Sequence, residues 1–381
     1  MFETILEPWE EISEQAEKLM PVIRAISYPL LPEKPEIGQF YRVYPEGDIC
    51  GKGTAYHGNV RIGKNPKRLI VYFNGGGCAF DEYTTSRPWN LFTAHIKDTY
   101  YSNDGEWIGD FFLQKGLSAK REDNPFLDFS CIQLPYCNGD FHAGNGYFPY
   151  TAQDGSRREM PFHGWKNAMD TIRMAQKILP EPEEILIAGS SAGAAGVSFL
   201  AEDIIECFPA CKKFTVLPDS MLINSPRWPE IMENVWHCPE HLGERVKTEN
   251  FVLDNLIHLH EAYGDRVQML YCCSPRDALL IMAQNALDGH GQITCPGDGA
   301  AFQKRLKDFC AALKKDVLGA AFYIFEAPMD AEGYDAELTL HCALNNPQMF
   351  EHAEGQPTIA QWILDVMDGK AASYGLTLLD S

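Results

Sequence analysis

The stretch Ile185-Leu-Ile-Ala-Gly-Ser-Ser-Ala-Gly193 is the starting point for interpreting this chain. Its first residues form an apolar run typical of a buried strand, and an alanine-rich segment typical of a helix follows. A serine with small residues two positions away on each side fits a strained strand-to-helix turn, where larger neighbours would collide with the strand and helix. Ser191 is therefore the candidate nucleophile. The alternative is a helix start whose serine only caps its own backbone.

Further apolar runs alternate with helix-like segments, which predicts an α/β fold with a mostly parallel central sheet and flanking helices. Between Gly164 and Leu179, apolar residues recur at three- and four-residue spacing, which predicts a helix that Pro180 stops. No repeat or linker divides the chain, so residues 1–381 are expected to form one catalytic domain with a cap-like helical insertion at 227–265. The predicted strands are 40–44, 54–62, 68–73, 129–134, 184–188, 214–217, 267–273 and 321–325.

A second strand, in Leu69-Ile-Val-Tyr-Phe-Asn-Gly-Gly-Gly-Cys78, ends in a run of glycines. Glycines let the backbone approach a substrate closely and turn its N–H groups outward. The amides of Gly76 and Gly77 are thus candidate donors to a developing oxyanion, together with the amide of Ala192. The alternative is a plain tight turn.

A serine nucleophile needs a base to take its proton, and after such a turn the acid and then the histidine follow in chain order. Strand 267–273 leads to Asp277, which is the candidate acid. Asp219, after strand 214–217, is the alternative, and the structural alternative for either aspartate is a solvent-facing loop carboxylate or a helix cap. His341 follows the last predicted strand and is the candidate base, although a lone histidine is often only hydrogen-bonded structure.

Charge and composition exclude several classes of protein. Acidic residues outnumber basic ones by 53 to 32, for a net charge of -21, which disfavours nucleic acid and polyanionic substrates. The acidic, helix-like N-terminal segment lacks the basic region of a signal peptide, and no apolar run is long enough to span a membrane. We therefore expect a cytoplasmic protein whose twelve cysteines are reduced thiols.

No metal or cofactor is predicted. His237, Cys238 and His241 cluster in the sequence, but Pro239 prevents the two histidines from sharing one helix. A second acidic group lacks the ligand spacing of a calcium loop and is interpreted as a solvated loop; it consists of Asp330, Glu332 and Asp335.

The glycine loop and the Ser191 segment resemble the pectin acetylesterase family, which includes the Notum-type carboxylesterases. The resemblance extends from Gly75 to the C-terminal region and includes Leu134-Pro-Tyr-Cys-Asn-Gly139, Leu217-Pro-Asp219 and His341-Cys342. It implies an α/β-hydrolase fold and places Asp219 near the site but outside the triad. The implied triad is Ser191, Asp277 and His341, with oxyanion donors Gly76, Gly77 and Ala192.

The chain departs from this family in two ways. Gly77-Cys78-Ala79 stands where an aromatic residue often follows the glycines. The family's plant and animal members are secreted and disulfide-bonded, whereas this chain has no visible signal, so we expect an intracellular, bacterial-type member.

The expected function is serine carboxylic-ester hydrolysis through an acyl-enzyme on Ser191, with removal of a short acyl group such as acetyl from a carbohydrate. Two alternatives stay open: a lipid or thioester deacylase, because the pocket fixes the acyl group, and a non-catalytic binding protein on a hydrolase scaffold. The expected partner is a small-molecule or oligosaccharide ester, and the oligomeric state is open. Candidate substrate-binding side chains are Asn138, Asp140 and His142 in the 136–145 loop, and Asp219.

Overall fold

The computed structural model of the protein describes residues 27–89, 98–327, 337–352 and 355–380. The helix-like N-terminal segment and the acidic loop of Asp330, Glu332 and Asp335 lie outside the described residues, so their interpretation stays a prediction. No helix in the described part of the chain has the length and hydrophobicity needed to cross a membrane.

The strands include all eight predicted ones and four that were not predicted, β4, β5, β7 and β8. They are β1 (Phe40–Val43), β2 (Gly58–Arg61), β3 (Asn65–Phe73), β4 (Pro88–Trp89), β5 (Tyr101–Ser102), β6 (Phe129–Leu134), β7 (Gly146–Thr151), β8 (Arg157–Phe162), β9 (Glu184–Ser190), β10 (Lys213–Asp219), β11 (Val267–Cys273) and β12 (Ala321–Ile324).

Eight of these strands form the central sheet, in the order β1-β2-β6-β3-β9-β10-β11-β12. The six strands from β6 to β12 in this order are parallel to one another, and β2 is antiparallel to both of its neighbours. The prediction of an α/β fold with a mostly parallel sheet is confirmed. β4 pairs with β5, and β7 pairs with β8, outside this sheet.

Helices connect the strands and cover the sheet. They are α1 (Glu82–Thr85), α2 (Gly105–Phe112), α3 (Gly164–Gln176), α4 (Ala192–Cys207), α5 (Trp228–Asn234), α6 (Glu240–Glu244), α7 (Phe251–Tyr263), α8 (Ala278–Leu287), α9 (Asp298–Asp316) and α10 (Ile359–Met367). The predicted helix from Gly164 thus ends at Gln176, before Pro180.

Successive residues of β3 face opposite sides of the sheet, as the two-residue repeat of a strand requires. Leu69, Val71 and Phe73 pack in one hydrophobic core, whereas Ile70 and Tyr72 pack in a second one. Residues from α3, α4, α7 and α9 close the first core, and residues from α10 close the second. Burial on both faces explains why residues 69–73 of β3 form an unbroken apolar run.

β9 and β10 extend two residues beyond their predicted carboxyl ends, to Ser190 and Asp219. These two residues lie opposite each other in the parallel register. Because parallel strands end at the same edge of a sheet, the turn at Ser191 lies beside the loop that follows Asp219.

The segment 227–265 contains α5, α6 and α7. α7 lies in the connection between the parallel strands β10 and β11, and its Phe251 ring stacks on Phe199 of α4 at 4.7 Å. Trp236 Nε1 donates to the carbonyl of Ala79 at 2.7 Å, so the segment also contacts the loop after β3. Its role as a cap stays a prediction.

Cys50 and Cys137 form a disulfide, so the expectation of reduced thiols is wrong for this pair. The other ten cysteines are free. The two partners are separated by 87 residues in sequence, and cysteine spacing alone does not define such a pair. A disulfide is more typical of oxidising compartments than of the cytosol. This finding weighs against the expected cytoplasmic location, which stays a prediction.

Candidate active site

Ser191 lies in the turn between β9 and α4, with φ 57° and ψ -126°. A positive φ is costly for a residue with a side chain, and neighbouring glycines provide the space that the turn needs. A Cβ on Gly189 would lie 2.5 Å from the Gly193 carbonyl oxygen, and one on Gly193 would lie 2.1 Å from that of Phe73. The Ser191 side chain makes no capping bond to α4. The alternative of a serine that only caps a helix is therefore wrong.

Asp277 and His341 meet at the carboxyl edge of the sheet. His341 Nδ1 lies 3.0 and 2.8 Å from the two carboxylate oxygens of Asp277. Asp277 is completely buried, while the His341 side chain keeps 10% of its surface exposed. Because Nδ1–H is donated to Asp277, Nε2 is the nitrogen with a free lone pair.

Backbone hydrogen bonds set the position of this pair. The N–H of Thr339 donates to the carbonyl of Arg276 at 3.0 Å, and its carbonyl accepts from Ala278 at 3.2 Å. The two segments therefore run side by side, with Thr339 opposite Asp277 and His341 two residues further along. Asp277 Oδ1 also accepts the N–H of Leu280 at 3.0 Å, so this carboxylate also caps α8.

The environment of His341 makes it a stronger base than a free histidine. Burial by itself would lower the pKa of His341, because it penalises the charged imidazolium. The charge and hydrogen bond of Asp277 outweigh burial, with a smaller contribution from Asp219, and the pKa of His341 is raised above 6.5.

Ser191 and His341 are linked through Asp219. In the part of the chain that the structure describes, the imidazole of His341 is hydrogen-bonded to Asp277 alone. The N–H of Ser191 donates to the Asp219 carbonyl at 2.9 Å, and the N–H of Ala343 donates to the Asp219 carboxylate at 2.9 Å. A direct bond between Ser191 and His341 is not required before substrate binds, since catalytic hydrogen bonds often tighten only on binding.

The glycine loop lies directly against the Ser191 turn. A Cβ on Gly75 would lie 2.7 Å from the Cβ of Ser191 and 3.2 Å from the amide nitrogen of Ala192. Gly77, with φ 79°, is exposed, and Gly76 is partly exposed. The three predicted oxyanion donors therefore belong to two segments that are in contact.

The carbonyls of this loop are held by the protein. The Gly76 carbonyl accepts the N–H of Ser102 at 2.7 Å, and the Gly77 carbonyl accepts the hydroxyl of Tyr136 at 2.9 Å. No acceptor for the amides of Gly76 and Gly77 occurs among the described residues. The amide of Ala192 is the first of α4, and the first turn of a helix leaves its N–H groups without an intrahelical acceptor.

Asn138, Asp140 and His142 are all buried, with exposures of 2%, 0% and 2%. Asn138 Nδ2 donates to the carbonyl of Pro161 at 2.8 Å, and Asp140 accepts the N–H of Gly164 at 2.7 Å. Groups whose hydrogen bonds are used inside the protein are less available to a substrate hydroxyl. Their burial weighs against the predicted substrate-binding role, which stays a prediction for these three residues.

His142 instead supports the glycine loop. Burial lowers the pKa of His142 to about 4, so the ring is neutral, and its Nε2–H donates to the carbonyl of Asn74 at 2.8 Å. The rings of Phe73 and Tyr136 lie 5.0 and 4.9 Å away. Nearby, burial raises the pKa of Asp140 to about 7, against the opposing effect of its backbone hydrogen bonds.

Asp219 is also fully buried, which weighs against its predicted contact with substrate; that contact stays a prediction. Its carboxylate accepts hydrogen bonds from protein groups on both sides. This placement agrees with the expectation that Asp219 lies near the site but outside the triad. The sequence gives no indication that these bonds reach the histidine segment, more than a hundred residues away.

The cysteine and histidine cluster of the α6 region does not form a ligand set. Pro239 caps α6, so His237 precedes this helix and His241 lies within it. His241 Nε2 contacts Asp203 at 3.0 Å. No group of three or more His, Cys, Asp or Glu side chains suited to a metal ion occurs in the described residues.

The sheet order, with a serine on the turn after its fifth strand and an acid and histidine on later loops, defines the class as an α/β hydrolase-like fold. Solved structures agree: the Wnt deacylase Notum from Drosophila matches with a TM-score of 0.56, covering 88% of this chain and 96% of that chain. At 16% identity this likeness concerns the fold.

Sequence comparisons narrow the class. A pectinacetylesterase family model matches residues 44–229. Palmitoleoyl-protein carboxylesterase notum2 of Xenopus laevis is 25% identical over 150 residues, and notum1a of Danio rerio is 23% identical over 159. These alignments cover 39% and 41% of this chain but only 28% and 29% of the relatives. These matches support the pectin acetylesterase and Notum-type family for this chain.

The family match covers the site unevenly. Residues 44–229 include the glycine loop, Ser191 and Asp219, whereas Asp277 and His341 lie beyond them. The assignment of Asp277 as the acid and His341 as the base therefore rests on the geometry of this chain and not on the family match.

Proposed function

We propose that this protein is a carboxylic ester hydrolase that forms an acyl-enzyme on Ser191. The observation that carries the proposal is the buried Asp277–His341 pair, which lies at the sheet edge where the Ser191 turn and the glycine loop meet. Such a pair supplies the base that a serine hydroxyl needs to act as a nucleophile.

In the proposed reaction, Ser191 Oγ attacks the ester carbonyl carbon while His341 Nε2 takes the hydroxyl proton. The carbonyl oxygen becomes an oxyanion, which accepts hydrogen bonds from the amides of Gly76, Gly77 and Ala192. When the C–O bond to the alcohol breaks, the imidazolium returns the proton to the leaving oxygen. Water then attacks the acyl-enzyme with His341 again as base, which releases the acid and restores the serine.

Asp277 supports both proton transfers. Its carboxylate fixes the tautomer and orientation of His341 and stabilises the imidazolium that forms in each step. The raised pKa of His341 predicts that activity falls as the pH drops through that raised value, because protonated His341 cannot accept the serine proton.

For the substrate we propose a short-acyl ester, in particular an acetylated carbohydrate of low negative charge. The pectinacetylesterase match supports acetyl removal. The net charge of -21 supports a neutral rather than a polyanionic substrate, because like charges repel. The cytoplasmic location remains part of this proposal, although the Cys50–Cys137 disulfide weighs against it.

A second candidate is removal of a long acyl chain from a lipidated molecule. It is favoured by the names of the relatives, which are palmitoleoyl-protein carboxylesterases. The two candidates share the chemistry at Ser191 and differ in the length of the acyl pocket.

Hydrolysis of p-nitrophenyl esters from acetate to palmitate by the wild type and Ser191→Ala tests the proposal. We expect the wild type to prefer acetate and the variant to lose activity by about 10⁴-fold or more, because the serine, histidine and acid act as one unit. A preference for palmitate would instead support the second candidate.

The control is labelling with a fluorophosphonate, which reacts with activated serines whatever the acyl preference. Labelling of the wild type but not of Ser191→Ala supports the acyl-enzyme even if all nitrophenyl esters are poor substrates. A wild type that neither labels nor hydrolyses any ester would favour a binding protein on a hydrolase scaffold.

A further inference from the structure

The carboxylate of Asp219 lies between the nucleophile segment and the histidine segment. Its Oδ2 accepts three hydrogen bonds, from Ser190 Oγ and from the N–H groups of Ala343 and Leu344, each at 2.9 Å. Its Oδ1 accepts the hydroxyl of Ser220 at 3.1 Å. One side chain therefore joins β9, which ends immediately before Ser191, to the loop that immediately follows His341.

The backbone around Asp219 makes the same connection. The Asp219 carbonyl accepts the N–H of Ser191 at 2.9 Å, and Ser220 Oγ accepts the N–H of Cys342 at 3.2 Å. Ser191, Ser220 and Cys342 have φ values of 57°, 60° and 64°. Residues with side chains keep this conformation only where surrounding contacts enforce it. Asp219 and its neighbour supply those contacts for both segments.

Besides burial and hydrogen bonds, the charge of His341 acts on the pKa of Asp219. Burial raises the pKa of Cys272, Cys273 and Cys342 well above the usual thiol value, and it also raises that of the Tyr72 phenol. These four groups are therefore neutral near pH 7. Burial raises the pKa of Asp219 too, and that effect is opposed by three hydrogen bonds, from Leu344, Ala343 and Ser190, and by the charge of His341.

We propose that Asp219 is a positioning residue of the active site, which holds the Ser191 and His341 segments in register and supplies a second negative charge that acts on His341. It does so without touching substrate, since it is completely buried. Asp277 orients one ring through a direct bond, whereas Asp219 fixes the relative position of the two segments that carry the nucleophile and the base. This inference rests on the proposed function of Ser191.

The test is Asp219→Asn, assayed on p-nitrophenyl acetate over pH 5 to 9. An amide oxygen holds the three Oδ2 donors more weakly than an anion does. We expect kcat to fall about 10²-fold with little change in KM, because small errors in the position of reacting groups have effects of this size. The acidic limb of kcat/KM should move to lower pH, because a charge that raises the pKa of His341 is lost.

A matched control is Asp254→Asn. Asp254 is a buried carboxylate that accepts two backbone N–H groups, from Lys247 and Thr248 at 2.7 Å, and it contacts neither Ser191 nor His341. We expect a lower Tm in this variant with an unchanged kcat and acidic limb. NMR titration of the histidine rings reports the His341 pKa directly and does not depend on turnover.

Three outcomes distinguish the positioning role of Asp219 from the proposed function of Ser191. A lower kcat together with a lower His341 pKa supports positioning by Asp219. An unchanged His341 pKa, with losses that match those of Asp254→Asn, overturns it and leaves a structural role. If the wild type is inactive and unlabelled but its His341 pKa still falls in Asp219→Asn, the proposed function fails while the coupling between Asp219 and His341 stands.

Discussion

The glycine loop at 75–77 and the loop at 136–142 lie against each other, yet they differ in exposure and composition. The first consists of glycines that are partly exposed or exposed, and the amides of Gly76 and Gly77 have no acceptor among the described residues. The second is fully buried and rich in polar side chains; Tyr136 donates to the Gly77 carbonyl of the first loop, and His142 donates to the carbonyl of Asn74 immediately before it. At this site the glycine loop lies beside Ser191, while His142, one of the side chains expected to bind substrate, holds the backbone immediately before the glycines.

This difference has a physical basis. An oxyanion is stabilised best by donors that do not reorganise during the reaction, and backbone amides held by their carbonyls meet that condition. Buried polar side chains are stable only when their hydrogen bonds are satisfied. The neutral ring of His142 and the Tyr136 hydroxyl satisfy theirs on the carbonyls of Asn74 and Gly77.

The largest effect is expected from changing the exposed loop with Gly77→Ala. The added Cβ would lie 2.0 Å from the Tyr100 carbonyl oxygen, at a φ of 79° that disfavours alanine, so the loop must shift. We expect kcat to fall by about 10²- to 10³-fold, as on loss of an oxyanion donor. The control is Gly53→Ala, at φ 85° in open space, which should leave kcat unchanged. Equal kcat values for the two variants would contradict an active role of this loop.

A smaller effect on turnover is expected from releasing the buried loop by removing its disulfide. Cys137 adjoins Tyr136, and its bond to Cys50 closes a loop of 87 residues. In the double variant Cys50→Ser and Cys137→Ser, the free energy of unfolding should drop by about 2 to 5 kcal/mol, while kcat changes by no more than about fivefold.

Urea unfolding with and without reductant measures this contribution, and the double variant should not respond to reductant. Thiol titration of the unfolded wild type should count ten free thiols before reduction and twelve after it. Twelve thiols before reduction would mean that the disulfide is absent from the isolated protein.

The last prediction is expected to have the smallest effect on turnover and is the most specific to the buried loop. It concerns the pH dependence of stability. The pKa of Asp140 rises from 3.8 to about 7, so between these values the native state keeps a proton that the unfolded state releases, and stability falls as pH rises. The pKa of His142 falls from 6.5 to about 4, so the unfolded state binds the extra proton, and stability rises with pH over that range. The change of stability with pH that Asp140 causes is therefore opposite in sign to the change that His142 causes.

Asp140→Asn removes one of these slopes. The free energy of unfolding of the wild type minus that of the variant should decrease by about 3 kcal/mol between pH 4 and pH 7, from the size of the pKa shift. Urea unfolding at four pH values in this range measures it, with activity at pH 8 as the check on the site. A difference that does not vary with pH would contradict the burial of an ionisable Asp140.

Several elements of the fold and site follow from local sequence. β6 and β11 have the predicted limits, because mostly apolar runs flanked by polar residues or proline leave few alternatives to a buried strand. The Ser191 turn can also be predicted from the sequence, since its conformation requires small residues at fixed offsets. Chain order alone predicts that Asp277 and His341 come together, and the structure places them 2.8 Å apart.

Other features depend on distant parts of the chain. Asn138, Asp140 and His142 have the composition of a binding loop, and nothing local indicates that they are buried. The hairpin of β7 and β8 was not predicted. Residues of β7 alternate between partial and high exposure, so the strand has no fully buried apolar side. The pairing of Cys50 with Cys137 is likewise a property of the fold.

The sequence by itself determined the order of the strands along the chain, the residues able to act as nucleophile, acid and base, and the glycines that allow close contact, because each depends on the chemistry of a few neighbouring residues. Only the tertiary structure decided which polar side chains face inward, which cysteines are joined, and that one buried aspartate, Asp219, connects the nucleophile to the histidine. Burial and long-range hydrogen bonds arise when segments far apart in sequence pack together, and no local pattern specifies the partner.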